Sequence, residues 1–156
     1  MNGLLSKEEK LRYMEQLFSD ATHAKHKVQL YLYQYNKMLD HQEVSNSFPP
    51  FFNLTMDALY NDFIIRMAKL FDTHKDSYGT IYKFLNIMEA HVKLFSPKEK
   101  LIQEKIKEQR KFLEKNQSLI NKIKTWRDKY HAHAGKSYFL EPDREKLGYD
   151  APMLWR

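Results

Sequence analysis

The chain of 156 residues contains no cysteine. It can therefore form no disulfide, no thiolate zinc site and no thiol nucleophile, which excludes several classes of secreted and metal-binding protein. Glycine and proline are also scarce, with four and five residues. Such a composition, rich in Lys, Glu, Leu, Ile and Met, is typical of an all-α protein. We predict an up-and-down bundle of four to five helices over residues 1–135, and a packed, irregular tail over 136–156, within one domain.

No apolar run is long enough to span a membrane, and residues 1–10 lack the apolar core of a secretory signal. These absences predict a cytoplasmic protein without a membrane partner. The formal net charge is +6 at pH 7. An excess of basic residues favours a polyanionic partner such as RNA, although an ordinary basic protein would show the same charge.

The apolar periodicity predicts four long helical stretches, separated by polar or proline-containing segments. A capping box, Ser6 with Glu9 three residues later, marks the first start, and Ser96 followed by Pro97 marks the last. The predicted helices cover residues 7–44, 51–71, 81–95 and 97–134, with a break at 45–50, a loop at 72–79 and a bend near 116–118. The second of them is apolar around much of its girth, which predicts a central position.

The first predicted helix carries an apolar stripe with more aromatic residues than one face requires. The stripe consists of Leu11, Met14, Leu17, Phe18, Ala21, Ala24, Val28 and Tyr31. Three tyrosines, Tyr31, Tyr33 and Tyr35, follow at alternate positions and therefore point to different sides of a helix. They fit a core edge, an oligomer contact or a base-stacking surface, and packing is the commonest role of such residues.

The segment K-I-K-T-W-R-D-K-Y-H-A-H-A-G, residues 122–135, combines an amphipathic helix with a cluster of polar residues. Ile106, Leu113, Ile120 and Arg127 are seven apart, so they lie near one line of a helix. An arginine on an apolar line must be paired with an anion or must line a cleft. Asp128 and His133 follow, and Gly135 is placed to end the helix. The simplest interpretation is a salt bridge at the end of a helix, with a histidine that favours the helix dipole.

The string R-D-K-Y-H-A-H, from Arg127 to His133, resembles the R-[ND]-K-x-x-A-H motif of the HEPN superfamily of helical bundles. The segment A-L-Y-N-D-F-I-I-R-M-A-K-L-F-D, residues 58–72, resembles the helix that ends in L-F-D in the abortive-infection AbiU-type branch. The resemblance implies a HEPN-like fold for residues 1–156. It also implies a metal-independent endoribonuclease without a cofactor that acts in toxin–antitoxin systems or phage defence.

In that chemistry the ribose 2′-hydroxyl attacks phosphorus and leaves a 2′,3′-cyclic phosphate. The resemblance implies that His133 is the acid or base, Arg127 stabilises the phosphorane and Asp128 orients one of them. One histidine can hardly be both acid and base, so a homodimer with a composite cleft is expected. The predicted RNA-binding residues are Arg66, Arg110, Lys124, Lys129 and His131, although Arg66 also fits an ordinary salt bridge and the lysines fit a solvated surface.

Two alternatives accompany the nuclease hypothesis. Some HEPN relatives are inactive modules for binding or dimerisation, with a nucleotide, RNA or an antitoxin such as a small nucleotidyltransferase as partner. A plain helical scaffold, in which the apolar tail forms the interface, is a further possibility. His131 and His133 could also begin a metal site, but no carboxylate lies at helical spacing beside them, so no metal is predicted.

Overall fold

The structure is a computed structural model that describes residues 6–95 and 98–128, except for the side chains of Leu94 and Phe95. Within these ranges the chain is all-α, as predicted, and its seven helices form four successive helical stretches. The helices are α1 (Lys7–Asp40), α2 (Gln42–Ser47), α3 (Pro49–Leu70), α4 (Ile81–Ala90), α5 (Val92–Phe95), α6 (Glu99–Lys115) and α7 (Gln117–Trp126). No helix in the described part of the chain has the length and apolar character to cross a membrane.

The helix boundaries confirm some sequence signals and correct others. Ser6 caps α1 through the predicted capping box, with the Glu9 N–H donating to its hydroxyl at 3.1 Å. The predicted break at 45–50 is present but shorter than expected, because α2 continues to Ser47 and only Phe48 separates it from α3. Pro49 and Pro50 occupy the first turn of α3, where a proline costs no hydrogen bond, so they start a helix. Helix α6 begins at Glu99 and not at Pro97, which lies outside the described residues together with Ser96.

Three helical stretches are interrupted at single residues. The breaks lie at His41, His91 and Asn116, and the last of them coincides with the predicted bend. His41 and His91 each adopt backbone angles outside the helical region. No glycine or proline lies at His41 or His91, which explains why the sequence did not predict these two breaks.

The main core lies between α1 and α3, and α4 and α7 pack against it. Its buried residues are Tyr13, Leu17, Ala24, Phe63, Ile64 and Leu70. The predicted stripe on α1 is therefore partly wrong, since Leu11 and Phe18 are 55% and 74% exposed. Tyr13 takes the buried position instead: its hydroxyl donates to the Thr80 carbonyl and accepts from the Thr80 N–H, both at 2.9 Å.

A second apolar cluster joins α4 to α6 and α7. It contains Leu85, Ile106, Leu113 and Ile120, which are 3–5% exposed. The last three are the line of seven-residue spacing that the sequence predicted. Because this line is buried against α4, the next member, Arg127, is directed towards the segment that joins α3 to α4.

Candidate active site around Arg127

Packing against α3 fixes the end of helix α7. Ile123 is only 2% exposed. The Trp126 ring meets the Tyr60 ring edge to face, with 6.3 Å between centroids. Burial raises the pKa of Tyr60 to about 12, a consequence of its enclosed position. This packing holds the backbone at the end of α7 in place, and with it the position from which the Arg127 side chain extends.

The guanidinium of Arg127 is held by two carboxylates. Its Nε donates to Asp128 Oδ1 at 2.7 Å, and its Nη1 lies 3.8 Å from Asp72 Oδ2. The Arg127 side chain is 25% exposed, so it is partly withdrawn from water but still reachable from solvent. This contact agrees with the hypothesis that Asp128 orients Arg127.

Asp72 is itself fixed by the segment that follows α3. The Ser77 hydroxyl donates to Asp72 Oδ2 at 2.7 Å, and the His74 N–H donates to Oδ1 at 3.1 Å. Burial alone would raise the pKa of this carboxyl, but these hydrogen bonds and the charges of Arg127 and Lys124 hold it below its ordinary value. The carboxylate is therefore ionised at neutral pH and provides a fixed anion for Arg127.

Sequence reasoning did not assign a role to Asp72. The signal was present, because Asp72 is the last residue of the segment ending in L-F-D, and because an arginine on an apolar line requires an anion. Nothing local connected the two residues, which are far apart in the chain. Only the packing of α7 on α3 shows that they meet.

Two of the predicted RNA-binding residues border a surface cavity of about 270 Å³, which lies between α4 and the loop that joins α3 to α4. Lys124 Nζ donates to Thr73 Oγ1 at 3.0 Å, and Arg110 donates to Asn86 Oδ1 at 2.8 Å. Thr73, Asn86 and Asp72 all line that cavity. Arg110 on α6, Lys124 on α7 and Arg127 directly after α7 thus each contact a residue that lines this cavity. Arg110 is also paired with Glu89 at 2.7 Å, which partly neutralises it.

Arg66 is engaged elsewhere. Its Nε donates to Asp62 at 3.0 Å, and its Nη1 lies 3.8 Å from Asp20 on α1. These contacts match the salt-bridge interpretation, and they direct the guanidinium to carboxylates other than Asp72. Lys129, His131 and His133 lie outside the described residues, as does the predicted tail over 136–156.

A comparison with known families extends beyond this geometry. The family model described as AbiU2, a HEPN family, matches residues 7–151. The chain belongs to the AbiU2 HEPN family. The match covers nearly the whole chain, including Arg127, Asp128 and His133, and it confirms the resemblance drawn from the two motifs. No curated protein and no solved structure matches the chain significantly. The site around Arg127 therefore belongs to an abortive-infection HEPN domain.

Proposed function

We propose that this AbiU2-family protein is a metal-independent endoribonuclease of abortive infection, with Arg127 and His133 as its catalytic residues. The observation that carries the proposal is the guanidinium of Arg127, which is oriented by Asp128 and Asp72 at the rim of a cavity bordered by cations. A partly buried, fixed guanidinium stabilises a phosphorane better than a mobile surface arginine, because its orientation is established before the reaction.

The reaction requires no group outside the chain and the RNA. The ribose 2′-oxygen attacks the adjacent phosphorus as a base removes its proton, and the bond to the 5′-oxygen breaks as that oxygen receives a proton. A histidine can serve either proton transfer near neutral pH. We assign one transfer to His133 and the other to His133 of a second copy, so that a homodimer completes the site. Lys124 and Arg110 attract the RNA backbone to the cavity.

The test is cleavage of a mixed RNA pool by the purified protein in the presence of EDTA. We expect 2′,3′-cyclic phosphate ends from the wild type, and a loss of at least about 100-fold in rate in Arg127→Ala and in His133→Ala, since one charge-stabilising or proton-transferring group contributes about that much. Arg66→Ala is the matched control, because it removes an arginine whose partners are Asp62 and Asp20. Equal cleavage by all four proteins would mean contamination and would contradict the assignment.

One observation favours a second candidate, an inactive HEPN module that binds a nucleotide, RNA or an antitoxin. Two carboxylates already neutralise Arg127, so a phosphate must compete with Asp72 for the guanidinium. If wild type and variants all fail to cleave RNA while Arg127→Ala weakens RNA binding, the binding module is the better description.

A further inference from the structure

The cavity between α4 and the loop at residues 72–80 has the size and the lining of a site for one aromatic ring system. Its volume is about 270 Å³. Pockets for whole drug-sized ligands occupy about 300–1,000 Å³, so this cavity suits a smaller group. Tyr82 contributes an aromatic side chain to a wall that otherwise consists of hydroxyl, amide and charged groups. An aromatic surface among hydrogen-bonding groups is what an unstacked RNA base requires.

The walls of the cavity are fixed before any ligand binds. Thr80 is only 3% exposed, and its backbone exchanges two hydrogen bonds with the Tyr13 hydroxyl. Its Oγ1 also accepts from the Lys83 N–H at 3.2 Å, which caps α4. At the other end of the loop, the Asp72 carboxylate accepts from the Ser77 hydroxyl at 2.7 Å. A ligand therefore enters a site whose loop is already ordered, which lowers the entropic cost of binding.

Two cations determine which hydrogen-bonding groups the wall can still offer. Arg110 donates to Asn86 Oδ1 at 2.8 Å, and Lys124 donates to Thr73 Oγ1 at 3.0 Å. Because arginine and lysine carry donors only, the amide oxygen of Asn86 must face Arg110, which turns its NH₂ group the other way. The Thr73 hydroxyl accepts from Lys124 and so keeps its own proton to donate. The groups that Asn86 and Thr73 leave for a ligand are therefore donors.

This pattern of donors discriminates among the RNA bases. Uracil, cytosine and guanine each carry a carbonyl oxygen that can accept from the NH₂ group of Asn86, whereas adenine carries none. Asparagine recognises adenine by accepting from its N6 and donating to its N7 at the same time. At Asn86 that arrangement has to compete with Arg110 for Oδ1. The wall therefore favours a base with a carbonyl oxygen over adenine.

The cavity adjoins the guanidinium that the proposed reaction uses. Asp72 lines the cavity, and its Oδ2 lies 3.8 Å from Arg127 Nη1. A base in the cavity and a phosphate at Arg127 are thus separated by about one side chain, as a base and a phosphate are within one nucleotide. The ionised Asp72 carboxylate repels a phosphate from the cavity itself, so the uncharged base is the part of RNA that fits there.

We propose that this cavity binds the unstacked base next to the scissile phosphate, with Tyr82 as the stacking surface and the Asn86 NH₂ group as the donor to a carbonyl oxygen. Asn86 is then a specificity-determining residue that selects uracil, cytosine or guanine against adenine. The inference rests on the proposed function because it takes RNA as the ligand, and it adds which nucleotides the site accepts at one position.

Binding of hexamers that cannot be cleaved tests the cavity without the chemistry. Fluorescence anisotropy gives the Kd values of 2′-O-methyl oligo-U and oligo-A, in which the attacking oxygen is blocked. We expect the ratio of the two Kd values to change by about 5- to 30-fold from wild type to Asn86→Ala, the effect of one or two hydrogen bonds. The change in the ratio is the measure, because oligo-A also stacks on itself. Asn86→Asp replaces the donor by an acceptor and should shift the ratio further, towards oligo-A.

Two further variants separate the cavity from the rest of the surface. Asn121→Ala is the matched control: Asn121 is also exposed and its Oδ1 also accepts from a side chain, Gln117 Nε2 at 2.9 Å, but it lies on α7 and does not line this cavity. It should keep the wild-type ratio. Tyr82→Leu retains an apolar side chain but loses the ring, and should weaken both hexamers by about 5-fold or more. Circular dichroism shows that the variants keep their helices.

Sequencing of the ends cut from a mixed RNA pool separates this inference from the nuclease proposal. We expect adenine to be depleted at one fixed position beside the cut in the wild type and not in Asn86→Ala. Equal hexamer ratios in the wild type and a folded Asn86→Ala would overturn the base site, even if both proteins cleave RNA, and so would a wild type that binds neither hexamer. A wild type that shows the Asn86-dependent ratio but cuts no RNA would instead contradict the nuclease and support the base site.

Discussion

Replacement of Asp72 by asparagine tests whether this carboxylate holds the loop and Arg127 together. The side chain keeps its shape but loses its charge. Hydrogen bonds to a charged group contribute about 1.5–3 kcal/mol each, but Asp72 is 22% exposed and asparagine retains one acceptor oxygen, so we expect a net loss of about 1–2 kcal/mol. In a protein of this size that corresponds to a fall of roughly 3–6 °C in Tm.

The pH dependence of this loss identifies its cause. The lowered pKa of Asp72 means that the folded state favours the ionised carboxyl. Its contribution is therefore present above the ordinary aspartate pKa of about 3.9 and is lost as the pH falls through the lowered folded value. Thermal unfolding followed by circular dichroism should show a difference between wild type and Asp72→Asn at pH 7 that shrinks below about pH 4.

Asp76→Asn is the matched control for that experiment. Asp76 lies in the same loop, but its side chain is 75% exposed and its contact with His74 is 3.8 Å long. We expect a change of less than about 0.5 kcal/mol. An equal Tm for wild type and Asp72→Asn at pH 7, or a difference that persists undiminished in strong acid, would refute the role assigned to the Asp72 charge.

Three further predictions concern the packing that supports the site. Ile64→Ala should lower the free energy of unfolding in urea by about 2–5 kcal/mol, because Ile64 is fully buried, whereas Ile65→Ala, at 44% exposure, should change it by about 1 kcal/mol or less. Tyr13→Phe should cost about 1–3 kcal/mol in the same assay, since the buried Thr80 N–H loses its acceptor; no change would contradict that hydrogen bond. Tyr60, with a folded pKa of about 12, favours its neutral form in the fold, so its contribution is full below about pH 10 and is lost towards pH 12. In an ultraviolet titration, the absorbance change that occurs near pH 12 should be smaller by one phenol in Tyr60→Phe than in the wild type.

Local periodicity predicted much of the fold, and long-range contacts account for most of what it missed. The line Ile106, Leu113, Ile120 could be read from the sequence because seven-residue spacing places side chains on one helix face whatever that face meets. The pairing of Arg127 with Asp72 could not, because it depends on how α7 crosses α3. The exposure of Phe18 was missed for a related reason: the stripe on α1 admitted two neighbouring faces, and the anchor of Tyr13 on Thr80 selects between them.

The seven-residue line that ends at Arg127 has a consequence for how this family can change. Side chains along the line can be exchanged for others of similar volume at modest cost, but its length cannot vary freely. One residue inserted between Ile120 and Arg127 would turn the guanidinium by about 100° around the helix, away from Asp72, whereas seven inserted residues would restore its direction and shift it by about 10 Å. Residues 106–127 should therefore tolerate substitutions far more readily than insertions or deletions.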